Sequence, residues 1–144
     1  MPDILLVEDS VVDVEIMREA LTDLDFKGNL HVVEDGEVAL QFLRKEENFQ
    51  SVTRPDIVLL DLNLPKVNGQ EVLQSVKADF GLKTIPVLVL STSCSHFDVK
   101  AAYSLGANSY LQKPSRYNEL VLMLNRVLTF WLKHDLSRKV SGLS

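Results

Sequence analysis

An α/β fold, a parallel sheet with helices on both faces, is predicted by three features of the sequence. Short apolar runs recur at 4–7, 30–33, 57–60, 85–90 and 109–111, amphipathic stretches lie between them, and the runs discharge into polar residues. A continuous apolar run reads as a strand buried on both faces, and strands alternating with helical patterns are the mark of βαβ units. Right-handed crossovers then bring all the strands to an end on one side of the sheet.

The first run, Ile4-Leu5-Leu6-Val7, ends in Glu8-Asp9. Ser10 is a good N-cap, and Ile16, Met17, Ala20, Leu21 and Leu24 follow at the spacing of an amphipathic helix. Lys27-Gly28-Asn29 ends that helix before the second strand, Leu30-His31-Val32-Val33. Asp35 is placed to cap a helix with Val38, Ala39, Phe42 and Leu43 on its buried stripe. From Lys45 to Arg54 the chain is polar and reads as a long connecting loop anchored by Phe49 and Val52.

Ile57-Val58-Leu59-Leu60 is the third strand and runs straight into Asp61, with Pro65 four residues on. Val67-Asn68-Gly69 turns the chain into a helix carrying Val72, Leu73 and Val76. A fourth strand, Ile85 to Leu90, releases into Ser91-Thr92-Ser93. A helix from Phe97 to Leu105 closes at Gly106, and Ser109-Tyr110-Leu111 is a short fifth strand ending in Gln112-Lys113-Pro114. The last helix carries Tyr117, Leu120, Val121, Leu124, Val127, Leu128 and Trp131 at helical spacing, and a polar tail is expected over 133–144.

A chain of 144 residues with 46% hydrophobic and 24% charged content is one globular domain of ordinary size. A net charge of −5 and the lack of a basic stripe argue against a nucleic-acid partner. One cysteine, Cys94, excludes an internal disulfide, which agrees with a reducing cytoplasm. No apolar run approaches the ~18 residues that span a bilayer, so a cytoplasmic protein with no membrane partner is expected.

Asp61 sits where its strand leaves the core, and in open α/β sheets that edge is where ligands bind. The same residue would suit a turn or a helix cap. What separates the two readings is whether other strands deliver complementary groups to the same edge. They do: Glu8 and Asp9 from the first strand, Ser91 from the fourth and Lys113 from the fifth. Three carboxylates in one cleft repel one another, and a divalent cation relieves the conflict. Hard oxygen ligands with room for water and phosphate oxygens favour Mg2+, with Asp9 and Asp61 as direct ligands, the backbone carbonyl of Asn63 as a third and Glu8 through water. An ionised aspartate needs no general base to attack phosphorus. Lys113 and the metal would neutralise the equatorial oxygens while Ser91 hydrogen-bonds one of them.

Glu8-Asp9, Asp61 with Asn63, Pro65 and Gly69, Ser91, and Tyr110-Leu111-Gln112-Lys113-Pro114 together resemble the motif set of the two-component response-regulator receiver domain, over residues 2 to 132. The resemblance implies a (βα)5 flavodoxin-like, doubly wound sheet of strand order 2-1-3-4-5. It implies a receiver domain over 1–132, a short tail and no output domain. Its function would be to accept a phosphoryl group on Asp61 from a partner histidine kinase, with Mg2+ and slow autodephosphorylation, as a signalling protein and not an enzyme acting on a substrate. It also makes Ser91 the switch hydroxyl, Tyr110 an aromatic that turns inward or outward, and Lys113–Pro114 a cis peptide bond. The Lys45–Arg54 loop, Leu90-Ser91-Thr92-Ser93 and Phe130-Trp131-Leu132 resemble a narrower group, the small stand-alone receivers that serve phytochrome-type histidine kinases.

Two departures bear on phosphoryl lifetime. Thr92 replaces the usual Ala, and Asn63 and Ser93 are polar where the family has positions controlling water access. A haloacid-dehalogenase-type phosphatase would place the nucleophile on the first strand within a DxD motif, but here the nucleophile is on the third strand and the third motif residue is Asn63. A dinucleotide site would need G-x-G-x-x-G where Glu8-Asp9 stands. His31, His96 and His134 share no ligand spacing and read as solvent-facing or partner contacts, and Cys94 reads as an ordinary loop cysteine. Leu122, Met123, Phe130 and Leu132 widen the apolar surface of the last helix beyond one core-facing stripe. A homodimer through this helix and its neighbours is therefore expected.

Overall fold

The computed structural model describes residues 1–62, 64, 68–93 and 95–143, with the side chains of 133–143 outside the description. The elements follow the expected alternation. They are β1 (Asp3–Val7), α1 (Val11–Asp23), β2 (Asn29–Val33), α2 (Gly36–Arg44), β3 (Ile57–Asp61), α3 (Gly69–Ala78), β4 (Val87–Ser91), α4 (His96–Ser104), β5 (Ser109–Gln112) and α5 (Tyr117–Leu143). All five strands are parallel in the order β2-β1-β3-β4-β5. Within the Lys45–Arg54 loop a single 3-10 turn forms at Glu47–Phe49. Its Phe49 ring packs against that of Phe42, tilted by 51° with centroids 5.3 Å apart.

Strand periodicity divides the interior into two layers. Leu5, Val7, Val58, Leu60, Val87 and Val89 face α2 and α3 through Ala39, Phe42, Leu43, Val72, Leu73 and Val76. On the other face Ile4, Leu6, Ile57, Leu59, Leu88 and Leu90 meet Met17, Ala20 and Leu21 of α1 and Leu124, Val127, Leu128 and Leu132 of α5. Leu132 is thus a core residue and not part of the wider outer surface expected for it; Leu122 and Phe130 are exposed. α5 also continues through the residues read as a loose tail, since no helix breaker occurs before Gly142.

The caps expected at Ser10 and Asp35 form, each accepting from the backbone N–H three residues on, at 3.2 and 2.9 Å. Asn68, read only as part of a turn, caps α3 in the same way at 2.9 Å. Lys77, near the end of α3, acts as an unforeseen bolt: its ammonium donates to the carbonyls of Lys83 and Ile85 and to Asn108 Oδ1 at 3.1, 2.9 and 2.9 Å. Burial lowers its pKa, yet three acceptors keep the ammonium satisfied.

His31, expected to face solvent or a partner, is only partly exposed and pairs within the fold. Its Nε2 lies 3.0 Å from Asp3 Oδ1 and its ring 5.5 Å from that of Phe42. The His31 hydrogen bond holds the Asp3 carboxyl below its ordinary value against the opposing effect of burial, with Asn29 assisting. A depressed carboxyl pKa contributes stability at higher pH that is lost as pH falls from the usual value through the folded one. His31→Phe keeps the ring and removes the donor. It is expected to cost about 1 kcal/mol at neutral pH and to start acid unfolding at higher pH, as followed by circular dichroism.

Candidate functional site

Each strand end delivers its group because parallel strands finish together. Glu8 and Asp9 leave β1, Asp61 is the last residue of β3, Ser91 is the last of β4, and Lys113 follows β5. Glu8, Asp61 and Ser91 are buried and Asp9 is exposed. One oxygen each from Glu8, Asp9 and Asp61 lie within 4.8 Å of one another. This is a hard-oxygen donor set able to hold a divalent cation. The Asn63 carbonyl expected to join it lies outside the described residues.

Lys113 is the counter-charge. Its Nζ is 2.7 Å from Glu8 Oε1, 3.4 Å from Asp13 Oδ2 and 3.5 Å from Asp61 Oδ2. Its backbone N–H donates to the Ser91 carbonyl at 2.7 Å, which ties the β5 end to β4. Glu8 Oε2 accepts the Ser10 N–H at 3.2 Å. Burial pushes the Glu8 carboxyl up, Lys113 pulls it back, Asp61 pushes again, and the net shift is upward. Burial pulls the Lys113 ammonium down, but the Glu8 hydrogen bond and the charges of Asp61, Glu8 and Asp13 outweigh it and hold its pKa above the usual value. So the lysine is fully charged at neutral pH, and the buried acids share its charge.

Ser91 Oγ accepts the Ser93 N–H at 3.1 Å, which leaves the Ser91 hydroxyl proton available to donate. The Tyr110 hydroxyl donates to the Ser93 carbonyl at 2.9 Å, and Ser93 Oγ donates to Asp98 Oδ2 at 2.7 Å. Ser93 therefore joins the Ser91 hydroxyl, the Tyr110 hydroxyl and the first turn of α4. The Lys113–Pro114 bond is trans and not cis as expected, and no cis bond occurs among the described residues. An X–Pro bond favours trans by about 0.5–1 kcal/mol, and here Lys113 reaches Glu8 with it. Cys94 lies outside the described residues.

Gly69 opens α3 against the back of the site. A Cβ there would stand 2.5 Å from the Asp61 carbonyl oxygen and 2.5 Å from Leu62 Cα. Both are backbone atoms that cannot yield. Gly69→Ala is expected to cost about 1–3 kcal/mol through overpacking, read as a lower urea midpoint at unchanged slope. Asp13 was missed by sequence reasoning. Its signal was its position three residues after the N-cap Ser10, which turns it toward the same sheet edge.

Similarity to known proteins agrees with this geometry. The family model described as the response regulator receiver domain matches residues 4–125. The chain is 42% identical to response regulator Rcp1 of Synechocystis sp., over 90% of this chain and 88% of that protein. The structure of the phosphorylated cyanobacterial phytochrome response regulator RcpA superimposes with a TM-score of 0.86 at 40% identity, covering 91% of this chain and 94% of that one. The Mn2+-bound form of Rcp1 gives 0.84 at 41% identity, covering 92% and 95%. Among the described residues no helix is long and apolar enough to cross a membrane.

Proposed function

The chain belongs to the response regulator receiver domain family, and from that premise we propose that it accepts a phosphoryl group on Asp61 from a partner histidine kinase. The observation that carries the reading is the meeting of Asp61, Glu8 and Asp9 with Lys113 at one sheet edge. An oxygen of the ionised Asp61 carboxylate attacks phosphorus as the bond to the donor nitrogen breaks, giving an acyl phosphate and a free imidazole. Lys113 leaves Glu8 to neutralise one equatorial oxygen, and the Ser91 hydroxyl donates to another. Asp9 and Asp61 would hold a magnesium ion, with Glu8 through water and the Asn63 carbonyl as the further donor expected from the sequence, and the ion would supply charge neutralisation there. Movement of Ser91 would loosen its bond from Ser93 and with it the Tyr110 and Asp98 contacts, which couples the site to α4 and β5.

RcpA, 40% identical to this chain, is a phytochrome response regulator, which supports a phytochrome-type histidine kinase in the cytoplasm as the partner. Residues 1–132 are the receiver domain, and the net charge of −5 favours protein over nucleic-acid partners. Exposed Leu122 and Phe130 on α5 support a homodimer through this helix. Sedimentation at tens of micromolar is expected to show dimers; only monomers, with or without phosphorylation, would rule that out. The test of the function is intact mass after incubation with a small acyl phosphate and Mg2+. A gain of one phosphoryl group, lost with chelator, is expected, and no gain would overturn the reading.

A further inference from the structure

We propose that Asp13 is a positioning residue that keeps Lys113 within reach of the phosphoryl group on Asp61; the inference rests on Asp61 being the phosphoacceptor. One ammonium is shared among Glu8, Asp13 and Asp61 at 2.7, 3.4 and 3.5 Å. Of these three, only Asp13 stands outside the group of carboxylates able to hold a metal ion. Its side chain is 46% exposed where that of Glu8 is 4% exposed, so it approaches Lys113 from the solvent side. Its backbone is fixed, because the Asp13 N–H donates to the N-cap Ser10 Oγ at 3.2 Å.

The arrangement answers an electrostatic problem. When Glu8, Asp9 and Asp61 face a divalent cation, Lys113 loses most of the attraction that now holds it and is repelled by a like charge. Its side chain is 20% exposed, and an open cleft lined by Asp13, Thr92, Gln112 and Glu119 lies beside it. Asp13 is the carboxylate that stops the ammonium swinging out along that cleft. Lys113 then pivots about Asp13 from Glu8 to the phosphoryl oxygen.

A double-mutant cycle tests this with Asp13→Asn, Lys113→Met and the pair, using a small acyl phosphate at saturating Mg2+. Asp13→Asn is expected to slow uptake roughly five-fold, the size of a well-placed partly exposed ion pair. It should leave Mg2+ affinity by calorimetry within about two-fold, since Asp13 is not a ligand. Asp13→Glu should recover most of the rate, and Asp13→Asn should have no further effect beside Lys113→Met. A wild-type rate in Asp13→Asn, or an equal loss in the Lys113→Met background, overturns the proposal. Melting midpoints without metal judge the contact separately. Additive shifts overturn it, whereas failure of the wild type to take up phosphoryl overturns the phosphoacceptor reading and the inference with it.

Discussion

Asp61→Asn is expected to abolish phosphoryl uptake while leaving the protein at least as stable as the wild type. The amide has nearly the same shape but no charge to attack phosphorus, so intact mass should show no gain under conditions that modify the wild type. Stability should not fall, because Asp61 is a source of strain in the resting site. It lies with Glu8 and Asp9 in a cluster spanning 4.8 Å and raises the Glu8 carboxyl pKa. Removing it relieves a repulsion between buried acids at the loss of a 3.5 Å contact to Lys113. A melt without divalent cation is the check. A midpoint well below wild type would mean that Asp61 holds the fold together, and the lost uptake could then be no evidence of chemistry. Function here is built at a local cost in stability.

Lys113→Met has the second large effect, and it acts on stability and chemistry together. Without the ammonium the Glu8 carboxylate, 4% exposed, is left buried without its cation. Breaking such a pair costs about 3 kcal/mol. The loss depends on pH in a direction set by the Glu8 shift. Its pKa is already raised by burial, and Lys113 is the influence that lowers it. In the variant it rises further, so the proton-bearing form stabilises the fold. That contribution is present below the ordinary carboxyl value and is lost as pH rises through the folded one. The gap between wild type and variant in urea titrations should therefore be small in mild acid and widen toward neutral pH. Millimolar Mg2+ should narrow it again by binding the folded state. Phosphoryl uptake should fall by roughly 10²-fold, as when one oriented charge is removed from a developing anion. A gap independent of pH would show that Lys113 and Glu8 are not coupled.

Much of this was legible in the sequence, for a definite reason. In a parallel sheet the strand is a buried apolar run and its functional residue is whatever follows. Asp61 after Leu60, Ser91 after Leu90 and Lys113 after Gln112 could be placed before any coordinate was known. The caps Ser10 and Asp35 were legible on the same local grounds. Contacts that depend on how a helix lies across the sheet were not. Asp13 meets Lys113 across a separation of 100 residues. Lys77 reaches Asn108 across 31, and His31 finds Asp3 at the opposite edge from the acidic cluster. Nothing local to Lys77 or His31 distinguishes them from solvated surface residues, and the place of Asp13 three residues after the N-cap turns it toward the sheet edge without naming its partner. Pairing within the site was hidden too: Lys113 lies closer to Glu8, at 2.7 Å, than to Asp61, at 3.5 Å. The trans bond before Pro114 and the burial of Leu132 are likewise settled by packing that periodicity does not encode.

The Lys113–Glu8 contact closes a loop of 105 residues, and this has a consequence for the birth of the protein. Synthesis delivers Glu8, Asp9 and Asp61 first, at a pace of roughly 5–20 residues per second. A nascent chain stalled anywhere before residue 113 carries the acids without their cation, and β5 and α5 are still inside the ribosome or unmade. Long closures are also the slow steps of folding. The site is thus among the last parts of the molecule to exist, and a chain that stops short of Lys113 should take up phosphoryl groups poorly. Competence to receive the signal therefore arrives only once the chain has passed its fifth strand.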